Sequence, residues 1–327
     1  MRTRRLGAGG PSVGAIGLGC MGMSEFYDPV PEDEAVRAIH RALELGMTLI
    51  DTSDMYGRGA NERLVGRALR GRREQAVLAT KAGIVRSDDP AYRGVDGRPH
   101  YIRAACDASL SRLGVERIDV YYLHRADPNV PIEETLGAMA ELVAAGKVAH
   151  LGVSELSAET LRRAARAAPI AALQSEYSLF TRDVETNGVL AAARALNIAL
   201  VAYAPLGRGL LTGAVRSTDD LAPGDLRRRV PRFDAGNLER NLALVDELTA
   251  IARERRATPA QIALAWLLSR GDDIVPLPGS ERVAHVEENA AGADVVLDAE
   301  TAARIERLFT RDAIAGSRLR DARFVDR

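Results

Sequence analysis

Short apolar runs and amphipathic segments alternate along the whole 327-residue chain, and this rhythm limits the fold more than any other feature. An apolar run of about four to eight residues reads as a strand buried on both faces, and apolar positions every three to four residues read as a helix laid against it. Strands are expected at about 16–19, 47–51, 76–81, 118–124, 148–153, 171–174, 198–203 and 274–277. Helices are expected at 32–45, 60–70, 101–113, 133–145, 157–167 and 184–196, then at 237–255 and 258–270 before the last strand, and at 282–291 and 298–309 after it. Pro31 before EDEAV and Pro131 before IEETL supply helix-start signals. Strand followed by helix, repeated eight times, favours a parallel (β/α)8 TIM barrel over a sandwich or a bundle. Residues 1–327 are expected to form one domain, since no Pro/Ser/Gly linker divides them.

Two segments depart from the repeat. RRLGAGGPSV, ahead of the first barrel strand, has the look of a short hairpin that plugs the bottom of the barrel. After Tyr203 a long insert runs through PLGRGLLTG and GDLRRRVPRF to about 236. A loop of that length in a compact domain is functional or disordered.

The charge balance excludes several partners. The 44 basic and 45 acidic residues nearly cancel and are spread along the chain, which argues against nucleic-acid and membrane partners. No apolar run is long enough to span a bilayer, and no apolar h-region follows the arginines of MRTRRLGAGG. A cytoplasmic location is therefore expected, and Cys20 and Cys106 are expected as small buried thiols. The five histidines show no metal-ligand spacing, so no metal is expected. GLGCMG at 17–22 matches a dinucleotide-binding string, but Pro29 and Pro31 prevent the long helix which that motif must open. Its glycines are read as room for a strand and loop to pack against a ligand.

The two lysines, Lys81 and Lys147, stand out in a chain that otherwise uses arginine. Lys147 is expected near a helix C-terminus. Lys81 ends an apolar strand, where a charge is costly without a partner. Asp51 and Tyr56 in DTSDMYG, Lys81, and His124 after IDVYYL all fall at or just beyond strand ends, which in a barrel form the active-site rim. A lysine ammonium lowers a tyrosine's pKa toward a working range, an aspartate holds that ammonium, and a histidine orients a carbonyl oxygen. Each residue alone also has a structural reading: Asp51 as a cap, Tyr56 as a loop anchor, Lys81 as an ion pair, His124 as a satisfied core histidine.

Together these segments resemble the aldo-keto reductase family over almost the whole chain. Asp51 and Tyr56 stand in D-T-x-x-x-Y-G, Lys81 in A-T-K and His124 in Y-Y-L-H. The resemblance implies NADPH-dependent reduction of small aldehydes or ketones, with Tyr56 as general acid, Lys81 and Asp51 tuning it, and His124 placing the carbonyl. It also implies NADP contacts. Ser154 in GVSE and Gln174 in LQSEYS would meet the nicotinamide amide. Tyr203 in AYAPLGRG would stack on its ring, with Leu206, Gly207 and Arg208 along the pyrophosphate. In LPGSERVAHVEEN, Gly279, Ser280 and Arg282 would meet the adenosine 2′-phosphate, and Glu288 and Asn289 the adenine. Many family members carry arginine at the place of His285. GDLRRRVPRF is similar to bacterial members and would fold over the phosphates or stay exposed. Met23, Phe26, Tyr27, Met55, Ile84, Val85 and Arg125 are candidate substrate walls. The competing readings are a nicotinamide-sensing protein like the potassium-channel β-subunits, and a lyase or isomerase using Lys81 as a Schiff-base nucleophile.

Overall fold

A computed structural model describes residues 1–87, 94–320 and 325–326. β1 (Thr3–Arg5) and β2 (Ser12–Gly14) pair antiparallel as the expected hairpin. The barrel strands are β3 (Leu18–Gly19), β4 (Leu49–Asp51), β5 (Val77–Ala82), β8 (Ile118–Leu123), β9 (Val148–Ser154), β10 (Ile170–Glu176), β11 (Ala199–Tyr203) and β12 (Ile274–Leu277). A small ribbon, β6 (Ile84–Val85) with β7 (Gly94–Val95), lies outside the barrel.

The 8-stranded sheet runs β12-β11-β10-β9-β8-β5-β4-β3, and all its pairings are parallel. The two ends of that order then meet. The N–H of Gly17 donates to the Pro276 carbonyl at 2.9 Å, that of Gly19 donates to the Pro278 carbonyl at 2.9 Å, and Gly19 bridges Gly279. A first strand two residues long leaves most of the closure to these loop contacts. GLGCMG continues into a single turn, Met21–Met23, and opens no long helix.

The barrel has two cores because successive strand side chains point to opposite faces. Ile50, Leu78, Tyr121, Leu151, Leu173, Leu200 and Ile274 face outward against the helices. Leu49, Ala79, Val120, Tyr122, Ala172, Val201 and Val275 face inward and fill the barrel. Gly152 belongs to this inner packing, since a Cβ there would stand 2.3 Å from the Tyr122 ring.

Leu6 and Val13 of the hairpin are fully buried in the inner cluster, so the hairpin plugs the amino end of the barrel as expected. Arg4 fastens it. Its guanidinium donates to the carbonyls of Gly271 and Leu268, both at 2.7 Å, and to that of Ile274. Most helices match their expected ranges. The exception is 184–196, which breaks into Asp183–Thr186 and Val189–Ala195 where Gly188 takes φ 84. The insert after Tyr203 forms short 3-10 turns, including Leu226–Arg229 and Pro231–Phe233, and leads into the helix Ala235–Glu254. Among the described residues no helix is long and apolar enough to cross a membrane.

If the hairpin is a structural plug, Leu6→Ala should cost about 2–5 kcal/mol of unfolding free energy, as a fully buried leucine does elsewhere. The urea midpoint measures it. An unchanged midpoint would mean that the inner core does not depend on the hairpin.

Candidate active site

The pleat that fills the barrel also builds its rim. Continuing each inward row by two residues passes from Leu49 to Asp51, from Ala79 to Lys81, and from Val120 through Tyr122 to His124. Three polar groups thus emerge at the carboxyl ends of neighbouring strands, directly above an apolar plug. Tyr56 enters from the loop after β4, where Gly57 at φ 52 and Gly59 at φ 84 turn the chain into the helix Ala60–Ala68.

Lys81 is completely buried. Its ammonium donates to Asp51 Oδ1 and, at 2.8 Å, to the Thr52 carbonyl. Nζ lies 5.2 Å from the Tyr56 ring centroid, and the Tyr56 and His124 rings meet edge to face at 6.0 Å. Burial works against the Lys81 charge, but the groups around it, led by the opposite charge of Asp51, hold the ammonium above its ordinary value. An amine kept protonated has no lone pair for a Schiff base. For Tyr56 the balance differs from the sequence expectation. Lys81 does pull the phenol down, yet burial is larger and the net shift is upward. Tyr56 therefore rests as a protonated phenol. Burial, followed by Arg125 and Lys81, pushes His124 well below the usual imidazole value, so its ring is neutral.

These groups form the floor of a cleft of about 770 Å³. Asp51, Tyr56 and His124 line it, while Lys81 stands behind them. Ser154, Gln174, Tyr203, Leu206, Arg208, Gly279, Arg282, Glu288 and Asn289 also line it. Gln174 Nε2 donates to Asp51 Oδ2 at 2.9 Å, and Ser154 Oγ accepts from Arg125 Nη1 at 3.0 Å. Two expected contacts do not line the cleft. Gly207, at φ 59, faces the Phe180 ring, and buried Ser280 accepts from Asn289 Nδ2 at 2.7 Å. Ser280 is thus not the cap of the helix Val283–Ala291, whose N-cap residue is Arg282 and whose first turn has no side-chain cap. Free N–H groups beside an arginine suit an anion. Of the expected walls, Phe26, Tyr27, Met55, Ile84 and Arg125 line the cleft, and Met23 and Val85 do not.

The insert is docked rather than loose. Asp225 is buried and holds Arg227 through Nε at 2.9 Å and Nη2 at 2.6 Å. Leu226 N–H donates to the Phe26 carbonyl at 2.8 Å, and the Arg227 guanidinium covers the Tyr27 ring at 5.1 Å. The insert and the loop after β3 therefore meet across the cleft. Phe26, Ala204 and Arg208, all cleft residues, hold positive φ without being glycine. Such backbone strain persists where surrounding contacts enforce it.

Sequence reasoning missed the C-terminal tail, which carries no periodicity. Leu319 and Val325 line the cleft. Arg318 grips Glu155 through Nη1 at 3.0 Å and Nη2 at 2.6 Å, reaches Glu176 at 3.6 Å, and donates to the Tyr203 hydroxyl at 3.4 Å. Burial pushes Glu155 up, but Arg318 outweighs it, with help from Arg125 and the Glu176 N–H, and the carboxyl is held at about 2. Elsewhere, Lys147 lies past the helix Ile132–Ala144 and pairs with Asp107 at 2.5 Å. Both cysteines are free and buried, with burial raising each thiol. Among the described residues no group of three or more His, Cys, Asp or Glu could hold a metal.

The model of the Aldo/keto reductase family matches residues 15–309. The chain is 44% identical over 320 residues to an NADP(+) aldo-keto reductase of Schizosaccharomyces pombe, covering 97% of this chain and 94% of that one. A glycerol dehydrogenase of Gluconobacter oxydans superposes with a TM-score of 0.86 at 33% identity, covering 94% of this chain and 95% of that one. An aldo/keto reductase of Klebsiella pneumoniae, solved with NADP and acetate, gives 0.73 at 28% identity over 98% and 99% of the two chains.

The grip of Arg318 generates a prediction. Arg318→Met strands the buried Glu155 carboxylate, while Glu176 keeps Arg208 and Arg232, and should cost about 3–5 kcal/mol in urea unfolding near pH 7. Adding Glu155→Gln should recover part of that. Because Glu155 is held at about 2, its contribution is complete above the usual glutamate range and fades as pH falls toward 2. A loss that does not change on acidification would remove Glu155 as its source.

Proposed function

The chain belongs to the aldo/keto reductase family, and from that premise we propose that it reduces aldehydes or ketones to alcohols with NADPH, as an oxidoreductase acting on CH–OH donors. The observation that carries the reading is the placement of the Tyr56 phenol on the cleft floor, backed by the buried Lys81–Asp51 pair and set edge to face against His124. The whole chain, 1–327, is taken as one working unit because the cleft draws on residues from Gly19 to Val325.

The cleft suits NADP on its own chemistry. It has room for a long ligand, an aromatic residue at Tyr203, an uncapped helix N-terminus beside Arg282, and Glu288 and Asn289 at the same end. Ser154 and Gln174 would hold the nicotinamide amide, Tyr203 its ring, and Leu206, Gly207 and Arg208 the pyrophosphate. Gly207 and Ser280 would act through backbone placement. His285 also lines this end, beside Arg282, which offers its charge to a 2′-phosphate.

When bound, the reduced nicotinamide supplies hydride to the carbonyl carbon. Tyr56 gives its hydroxyl proton to the carbonyl oxygen. The Lys81 ammonium stabilises the phenolate that results, and Asp51 keeps that ammonium charged and aimed. His124 hydrogen-bonds the carbonyl oxygen and fixes its direction. Phe26, Met55, Ile84 and Leu319 offer apolar walls that exclude water from the reacting carbon. Arg125 is committed to the His124 carbonyl at 2.6 Å and to Ser154, and it adds positive charge to the rim.

Fluorescence titration with NADPH and NADH, followed by nicotinamide absorbance with a panel of simple aldehydes and ketones, tests this reading. Selective NADPH binding with carbonyl-dependent oxidation is expected. Tyr56→Phe should reduce kcat by at least ~100-fold, the range of a lost general acid, and leave NADPH affinity nearly unchanged. Tight NADPH binding without turnover by the native protein would point instead to a nicotinamide sensor.

A further inference from the structure

Behind His124 stand two side chains that the four-residue centre does not use. Ser53 is fully buried in the loop after β4, and its Oγ lies 3.1 Å from His124 Nδ1, 3.2 Å from Asp54 Oδ1 and 3.4 Å from the Lys81 carbonyl. A hydroxyl has one proton and donates to one acceptor at a time. A neutral imidazole also has one proton, on one nitrogen or the other. The two choices are linked. If Ser53 donates to Asp54, it must accept from Nδ1–H, and Nε2 faces the cleft as a bare lone pair. If Ser53 donates to Nδ1, Nε2 carries the proton.

We propose that Ser53 and Asp54 are positioning residues that set the tautomer of His124: ionised Asp54 selects the Nδ1–H form, and protonated Asp54 selects the Nε2–H form that donates to a carbonyl oxygen. The inference rests on the reading of His124 as the group that meets the carbonyl. A carboxylate accepts only, and its charge-assisted hydrogen bond is stronger than a neutral one, so ionised Asp54 takes the Ser53 proton. Once protonated, Asp54 becomes a donor to Ser53 Oγ and releases the Ser53 proton toward Nδ1. The Lys81 carbonyl competes weakly, since at 3.4 Å it is the farthest of the three acceptors and carries no charge.

The surroundings of Asp54 let this change happen near neutrality. Glu62 faces it from the helix Ala60–Ala68, Arg112 and Tyr101 from the helix Pro99–Leu113, and Tyr121 from β8. Arg112 is engaged elsewhere, donating to Glu62 Oε2 at 2.5 Å and to Ser109 at 3.1 Å, while Thr80 donates to Glu62 Oε1 at 2.7 Å. Among the described residues Asp54 has no salt-bridge partner of its own. Burial, then repulsion from Glu62, pushes its carboxyl up to about 7, against the pull of Arg112, Ser53 and the Met55 N–H. The Nε2–H form, suited to a carbonyl, therefore prevails on the acid side, and the bare Nε2, suited to an alcohol hydroxyl, on the alkaline side.

The test reads the tautomer directly, by nitrogen NMR of ligand-free protein labelled with 15N-histidine from pH 5.5 to 8.5, with His124→Asn to assign the signals. The wild type should exchange its Nδ1 and Nε2 shifts with a midpoint near 7 while the ring stays neutral. Asp54→Asn, whose amide has no titrating proton, should hold one tautomer ratio throughout. Ser53→Ala removes a single oxygen and must also abolish the pH response, which keeps the test open should Asp54→Asn fail to fold. In turnover, kcat/KM for carbonyl reduction should fall about 3–10-fold across the same midpoint in wild type, the worth of one hydrogen bond, and stay level in Asp54→Asn. A wild-type tautomer constant with pH, or an Asp54→Asn profile that still titrates, overturns the relay. The NMR result needs no turnover, so absence of carbonyl reduction defeats the function proposal alone, and a fixed tautomer in an active reductase defeats the relay alone.

Discussion

Everything at the carboxyl end of this barrel is arranged around one buried ion pair, Lys81 with Asp51. The lysine side chain is 0% exposed and the aspartate 4%. Two charges so far from water cost several kcal/mol each unless their geometry and remaining hydrogen bonds compensate. Here the ammonium also donates to the Thr52 carbonyl, and the second Asp51 oxygen accepts from Gln174. β4 and β5 are adjacent, and Gln174 reaches over from β10 on the far side of the barrel. The pair thus ties opposite walls together at the level where the apolar core ends. Burial sets the state of Tyr56 and His124 first, and the neighbouring ammonium then moderates the phenol and helps keep the imidazole neutral.

A second charge network repeats this logic on the opposite side of the mouth. Glu155 and Glu176 are buried at the ends of β9 and β10, and Arg208, Arg232 and Arg318 reach them from the insert and the tail. Arginine suits this task, since its fork bonds a carboxylate through two nitrogens while its stem packs on apolar surface. Segments distant in sequence are thereby fixed over one cleft, and Tyr203 is held between them by Arg318. The bias of the sequence toward arginine fits this use. The lysine kept at position 81 occupies a place where a compact charge on a flexible stem is required.

The repeat of apolar runs made the barrel legible, because strands buried on both faces and amphipathic helices leave distinct periods. The tetrad was legible through its place at strand ends, where the same two-residue pleat that buries Ala79 carries Lys81 into the centre. What stayed hidden depended on contacts without local pattern. Nothing in the composition of 310–327 marks Arg318 as the partner of Glu155. Ser280 is implied as a phosphate contact, and its bond to Asn289 is set by how the loop turns. The direction of the Tyr56 shift also lay outside sequence reasoning, which supplies the charged neighbour but not the depth of burial that outweighs it.

The depth of burial at Tyr56 governs how the proposed centre would work. A phenol lowered by lysine alone would be partly ionised at rest and would lose its proton before a substrate arrived. Burial with net upward displacement keeps the proton on Tyr56, while the ammonium behind it still favours the phenolate when the proton departs. In the proposed reaction, stabilisation would thereby be directed at the state after transfer, where charge develops, which is the condition for lowering a barrier rather than merely tightening binding. Neutral His124 follows the same rule, because an imidazolium beside Lys81 and Arg125 would add a third cation to a largely buried site. Dry surroundings, one buried pair and one neutral ring therefore act together, and each loses its effect if the apolar plug beneath Asp51 and Lys81 is opened to solvent.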